Sequence, residues 1–187
     1  MYGEVQRVLQ ERISGTDMFE KFGELTLDEF NKTAQGLRDE KDFESLKNLA
    51  KEYYIDEFDL EDYIAGDVTE LATRITFALG KLQAEYKNEV KVIKNPWTLL
   101  PFKTVYDMSL TVIEDIADGI SNNKNKKLKD IIDEMQKTAK KQASGNTAVC
   151  MCGTDAQLKN IIKAYYQKGI KAAAKEIEKI GAVNESI

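Results

Sequence analysis

Apolar residues recur along most of this chain at intervals of three and four, the spacing that lines one face of an α-helix. Thr26-Leu27-Asp28-Glu29 has the form of a capping box, in which the Thr26 hydroxyl takes the Glu29 amide and the Glu29 carboxylate reaches back to the Thr26 amide. A helix is predicted from there through Leu27, Phe30, Ala34 and Leu37, and Asp42 opens a second one carrying Phe43, Leu46, Leu49, Ala50 and Tyr53 on one face. Asp56 starts a short acidic helix through Phe58, Leu60 and Ile64 that stops at Gly66, a natural left-handed C-terminal position. Asp67 is expected to restart the chain at once. Val68, Leu71, Ala72, Ile75, Leu79, Leu82 and Tyr86 then keep the helical spacing for more than five turns, which predicts a long core helix.

The segment 91–96 is irregular and holds the first proline, so it reads as a connector. Thr98 or Pro101 is expected to begin a helix over about Leu99 to Ala117, apolar around most of its circumference and therefore buried on several sides, with Gly119 ending it. After the polar loop Ser121 to Asn125 comes a helix presenting Leu128, Ile131, Ile132, Met135 and Ala139, closed by Ser144-Gly145-Asn146. The run from Thr147 to Gly153 resembles a strand, but one short strand makes no sheet, so it is read as an ordered loop. Thr154 or Asp155 caps a last helix with Leu158, Ile161, Ile162, Tyr165, Gly169, Ala173, Ile177 and Ile180 inward, and the residues after Gly181 are expected to fray. The expectation is an all-α, compact multi-helix bundle, one domain over residues 1–187. Its core should include Leu71, Ile75, Leu79, Val112, Ile116, Ile131, Leu158 and Ile162.

Composition leaves that picture intact, since 187 residues suffice for one core. No apolar run approaches the roughly 18 residues needed to span a bilayer, and the start of the chain lacks the order of a signal peptide. A cytoplasmic location is expected, which suits two cysteines too close for an ordinary stabilising loop. Charge adds something new. Residues 1–80 hold 9 Lys/Arg against 19 Asp/Glu, net −10, while residues 81–187 hold 18 against 13, net +5. An acidic half, about 1–88, therefore precedes a basic half, about 98–181.

Candidate chemistry is limited by the lack of any histidine, which excludes Ser-His and Cys-His nucleophiles, His general bases and His metal sites. Neither a Gly-x-x-x-x-Gly-Lys-[Ser/Thr] loop nor a Gly-x-Gly-x-x-Gly turn is present. Cys150 and Cys152 read as two small apolar side chains, because a structural zinc site needs four ligands and would have to be shared between subunits. No catalytic residue, metal ligand or cofactor is assigned; carboxylate-metal catalysis stays open only as a remote alternative. Acids are densest at Asp56, Glu57, Asp59, Glu61 and Asp62, without the loop of an EF-hand. They fit either a solvated acidic face or a surface that engages a partner's basic channel, and they are the partner-binding candidates. Lys124, Lys126, Lys127 and Lys129 are read as crowding the first turn of a helix, where the macrodipole disfavours cations. Lys168, Lys171, Lys175 and Lys179 are spaced to form one stripe on the final helix. Both lysine sets fit a soluble surface or a sequence-independent DNA contact, and the paucity of arginine argues against base readout.

The block Leu27 to Ala34, with Asp42 to Lys51, Asp62-Tyr63-Ile64 and Glu70-Leu71-Ala72, resembles small proteins carried by bacterial mobile elements, including gut-bacterial anti-CRISPR proteins that inhibit type II RNA-guided nucleases. The likeness covers about residues 24–86, with a weaker echo in Leu158 to Tyr166. It rests on helix caps and core positions, so it transfers no functional residue. It implies a non-enzymatic inhibitor that binds such a nuclease, with a DNA contact besides, and blocks target engagement or cleavage. The alternative is a mobile-element accessory protein that binds DNA or a transfer protein and inhibits no nuclease.

Overall fold

The computed structural model describes residues 19–142 and 153–183. Among them the chain forms nine helices and no strand: α1 Leu27–Asp39, α2 Phe43–Glu52, α3 Glu57–Ala65, α4 Arg74–Val92, α5 Pro96–Thr111, α6 Ile113–Ser121, α7 Leu128–Gln142, α8 Asp155–Lys168 and α9 Ile170–Val183. The Ser144 to Asn146 stop and the loop of Cys150 and Cys152 lie outside the described residues, as do 184–187 of those expected to fray after Gly181, whereas Ala182 and Val183 belong to α9.

Local chemistry sets the N-terminal boundaries. Thr26 and Glu29 make the reciprocal capping box, the Glu29 carboxylate taking the Thr26 amide at 2.8 Å. Asp42 and Asp56 cap α2 and α3 through their carboxylates, and Gly66 closes α3 at φ 89°. The restart is not immediate, however. α4 begins at Arg74 behind its cap Thr73, because Asn31 of α1 holds the preceding loop by both edges: its amide donates to Ala72 O at 2.9 Å and its carbonyl oxygen accepts from Ala72 N at 3.1 Å. Leu71 and Ala72 are thus buried in a loop rather than on a helix.

The long apolar stripe expected on α4 is also turned. Ile75 and Leu79 are half-buried, and the face against the rest of the protein carries Phe77, Ala78, Lys81, Leu82, Ala84 and Glu85. Gly80 lies on that face because a Cβ there would meet Tyr53 O at 1.9 Å; the backbone just after α2 runs against that of α4.

Three further boundaries differ from expectation. The helix after the connector starts at Pro96, with the Asn95 side chain accepting from Trp97 N, and Pro101 sits inside it; the connector shrinks because α4 runs on to Val92. Val112 (φ −123°, ψ 21°) splits the predicted single helix into α5 and α6, in the β-branched run Thr111-Val112-Ile113 that suits helix poorly. Burial on several sides holds for most of the span, with Val105, Val112 and Ile116 buried and Tyr106, Met108, Leu110 and Ile113 packed against the larger cluster, although Trp97 and Leu100 stand exposed on the first turns of α5. Gly119 does not end α6; it lies within the helix where a Cβ would sit 2.2 Å from Tyr166 O of α8. The predicted last helix is likewise two helices, broken at Gly169 with φ 94°.

Side-chain burial forms two clusters. Phe30, Leu46, Leu49, Tyr53, Leu60, Tyr63, Leu71 and Phe77 make the N-terminal one, stacked around the Tyr53 ring. The larger one gathers Ala78, Leu82, Phe102, Val105, Val112, Ile116, Ile131, Leu158, Ile162 and Ile177, with α8 packed on α9 and α6. α4 gives residues to both, Phe77 to one and its neighbour Ala78 to the other.

Candidate functional site

α3 is short, and its outer surface is where the predicted acids meet. Leu60 and Tyr63 point inward, and Asp56 spends one carboxylate oxygen on Phe58 N at 2.9 Å. Glu57 and Asp59 in the first turn favour the helix through its dipole. Asp56, Glu57, Glu61 and Asp62 are exposed and Asp59 is half-buried, and none of the five makes an ion pair among the described residues. The apolar pattern had grouped Phe58 with Leu60, but Phe58 stands 76% exposed in the middle of these carboxylates. A cleft of about 220 Å³ opens beside them, between Asp59 and Asp62 on one side and Val68, Thr69 and Thr73 on the other. An exposed ring among like charges buries little surface against the described residues, whereas aromatic side chains anchor protein interfaces.

The first lysine set is placed differently. α7 starts at Leu128, so the expected conflict with its dipole is confined to Lys129 in the first turn, and Lys124, Lys126 and Lys127 precede the helix. Their charges are used internally: Lys124 pairs with Glu29 at 2.6 Å, Lys127 with Glu24 at 2.5 Å, and Lys126 donates to Tyr166 O at 2.5 Å. Lys129 alone of the four is exposed. Lys124 is also the main reason the Glu29 carboxyl is held down at about 2. In the second set, the Gly169 break puts Lys168 on α8 and Lys171, Lys175 and Lys179 on α9; all four are exposed, and Lys179 pairs with Glu176 at 2.6 Å.

Pattern reading missed a buried polar network, since it assigns charge to the outside. Lys81 is 0% exposed, and its ammonium meets Glu24 Oε1 at 2.8 Å, Asn123 O at 2.8 Å and Ile120 O at 3.5 Å. Burial pushes its pKa down, against the pull of Glu24. One turn on, buried Glu85 accepts from Leu128 N at 2.8 Å, taking an otherwise free amide at the start of α7. The Lys81 to Glu85 spacing of four was the available signal. Among the described residues no group of three or more acids or cysteines is placed to hold a metal ion, and no helix is long and apolar enough to cross a membrane.

Burial raises the Glu85 carboxyl from its ordinary 4.5 to about 7, opposed by Lys127, the Leu128 amide and Lys81 and reinforced by Glu24. Between those values the folded chain holds a proton that the unfolded chain has released, so stability falls as pH rises from about 4.5 to 7 and then levels off. Glu29 acts with the opposite sign at lower pH: its contribution is present above 4.5 and fades toward about 2. With no histidine to titrate in the Glu85 window, urea unfolding of the wild type should show a loss of at most about 3 kcal/mol between pH 5 and 7.5. Glu85→Gln keeps an acceptor for Leu128 N and should flatten that profile; an unchanged pH slope in this variant would refute the assignment.

Comparison with protein-family models, with curated proteins and with solved structures finds no match to this chain.

Proposed function

We propose that this chain is a non-catalytic binding protein that docks its acidic α3 face, with Phe58 at the centre, on a basic surface of a partner protein. The observation that carries this is the pairing of an exposed aromatic ring with carboxylates that make no ion pair among the described residues. Carboxylates steer a basic partner into encounter, and the ring supplies the apolar contact that holds it. For the partner we propose a type II RNA-guided nuclease whose target engagement or cleavage is blocked. That part rests on the resemblance over residues 24–86, the stretch in which α3 lies.

A cleavage assay with purified nuclease, guide and target tests both parts. Wild-type protein should inhibit, Phe58→Ala should weaken inhibition at least about tenfold, and Glu57→Lys with Glu61→Lys should weaken it most at low salt. Asp56 is left in place because it caps α3. Failure of the wild type to inhibit would remove the nuclease and leave the accessory-protein reading. Full inhibition by both folded variants would remove the acidic face.

A further inference from the structure

Four lysines outside both predicted sets meet in one place. Lys21 comes from the segment before α1, Lys51 from the last turn of α2, and Lys87 and Lys91 stand one turn apart on the C-terminal part of α4. They line a cleft of about 390 Å³, within the usual size of small-ligand sites. All four are exposed, and their ammonium groups make no ion pair among the described residues, whereas Lys81, Lys124, Lys127 and Lys163 are each matched to a carboxylate. Glu20 and Glu52 also line the cleft. Glu52 is turned into the protein, one oxygen accepting from Lys21 N at 2.9 Å and the other closed off from solvent. Four cations thus share one cleft with two carboxylates, an excess of positive charge that no ion pair of these lysines neutralises among the described residues.

The same wall carries Tyr54, 41% exposed and at φ 51°, a conformation uncommon for a bulky residue. The fold imposes it. Tyr53 before it is fully buried in the N-terminal cluster, Ile55 after it donates to Ala50 O at 2.9 Å, and the chain between them runs against Gly80 of α4. The outcome is an aromatic ring presented to solvent among lysines, the combination by which single-stranded nucleic acid is held: cations track the phosphates and a ring stacks on a base.

We infer that this cleft binds single-stranded nucleic acid, with phosphates on Lys21, Lys51, Lys87 and Lys91 and one unpaired base on Tyr54. Lysine contacts phosphate as a point charge and the ring accepts any base, so the contact is independent of sequence. The inference does not depend on the acidic face, because α3 gives no residue to the cleft.

Fluorescence anisotropy of a labelled oligothymidylate across a salt series tests it. Binding by the wild type should fall with log salt at a slope of about −0.7 per phosphate, reaching about −3 if all four lysines engage. Lys51→Ala with Lys87→Ala should reduce the magnitude of the slope by about 1.4. Tyr54→Asn keeps a residue that tolerates positive φ, and should weaken binding about 5- to 100-fold at an unchanged slope, while Tyr54→Phe should bind like the wild type. Lys171→Ala with Lys175→Ala on α9 should change neither. The inference is overturned if the wild type does not bind, if only the α9 pair matters, or if duplex binds as tightly and Tyr54→Asn has no effect. Binding of inorganic tripolyphosphate by a wild type that ignores the oligothymidylate would equally overturn it, in favour of a small polyphosphate.

Discussion

Lys81→Ala should destabilise the protein by about 3–5 kcal/mol, measured as the loss of unfolding free energy in urea at neutral pH. The substitution strips the Asn123 carbonyl of its side-chain donor and the Ile120 carbonyl of one of its donors, takes from Glu24 one of its two cations, and empties the space of a fully buried four-carbon stem. Lys81→Met separates these effects: it refills the volume and leaves Glu24 to Lys127, so it should recover a large part of the loss. A double-mutant cycle with Glu24→Gln should return a coupling of about 1 kcal/mol or more. Equal stabilities for the Ala and Met variants, or a loss below about 1 kcal/mol for Ala, would show that the buried ammonium contributes nothing specific.

Phe77→Ala should cost about 3–5 kcal/mol, whereas Ile75→Ala two residues earlier should cost nearer 1. Phe77 is fully buried, with its ring 5.2 Å from Phe30 and 5.4 Å from Tyr53. Tyr53 in turn fixes the segment before α1, donating from its hydroxyl to Gly23 O at 2.9 Å and accepting from Leu25 N at 2.6 Å. Removing the Phe77 ring therefore leaves a void among rings that cannot close over it without breaking those bonds. Ile75 is half-buried, so its truncation exposes little new cavity. Thermal or urea unfolding of the two variants side by side decides the matter, and the reverse order of costs would restore the helix face expected from the sequence.

That face shows where sequence was a sufficient guide. Thr26, Asp42, Asp56, Gly66 and Thr154 act on amides or carbonyls within a few residues, so their caps could be read directly, as could the all-helical class. The α4 register could not, because its buried face includes Lys81 and Glu85, and a charge enters a core only when distant groups receive it: Asn123 and Leu128, more than 40 residues on. The same limit hid the state of the basic residues. Lys124 looked free until its partner Glu29, 95 residues away, was placed beside it. Lys21, Lys51, Lys87 and Lys91 are scattered in sequence and look unremarkable until three segments bring them together. The acidic site was legible as charge, being local to α3, but Phe58 was not, since an outward ring and an inward one have the same letter.

The sharing of α4 between the two clusters has a consequence for how the molecule opens. Where each hydrophobic cluster has its own helices, one can melt while the other persists, giving separate sub-global units in hydrogen exchange. Here Phe77 and Ala78 are consecutive residues of one helix and face different clusters, so unwinding that turn removes a wall from both at once. Helix propagation is itself cooperative, and a break in the middle of 19 residues gains little chain freedom for the bonds it gives up. The central amides of α4 should therefore exchange only through global unfolding, with the exposed start of α5, remote from that junction, opening at far lower cost.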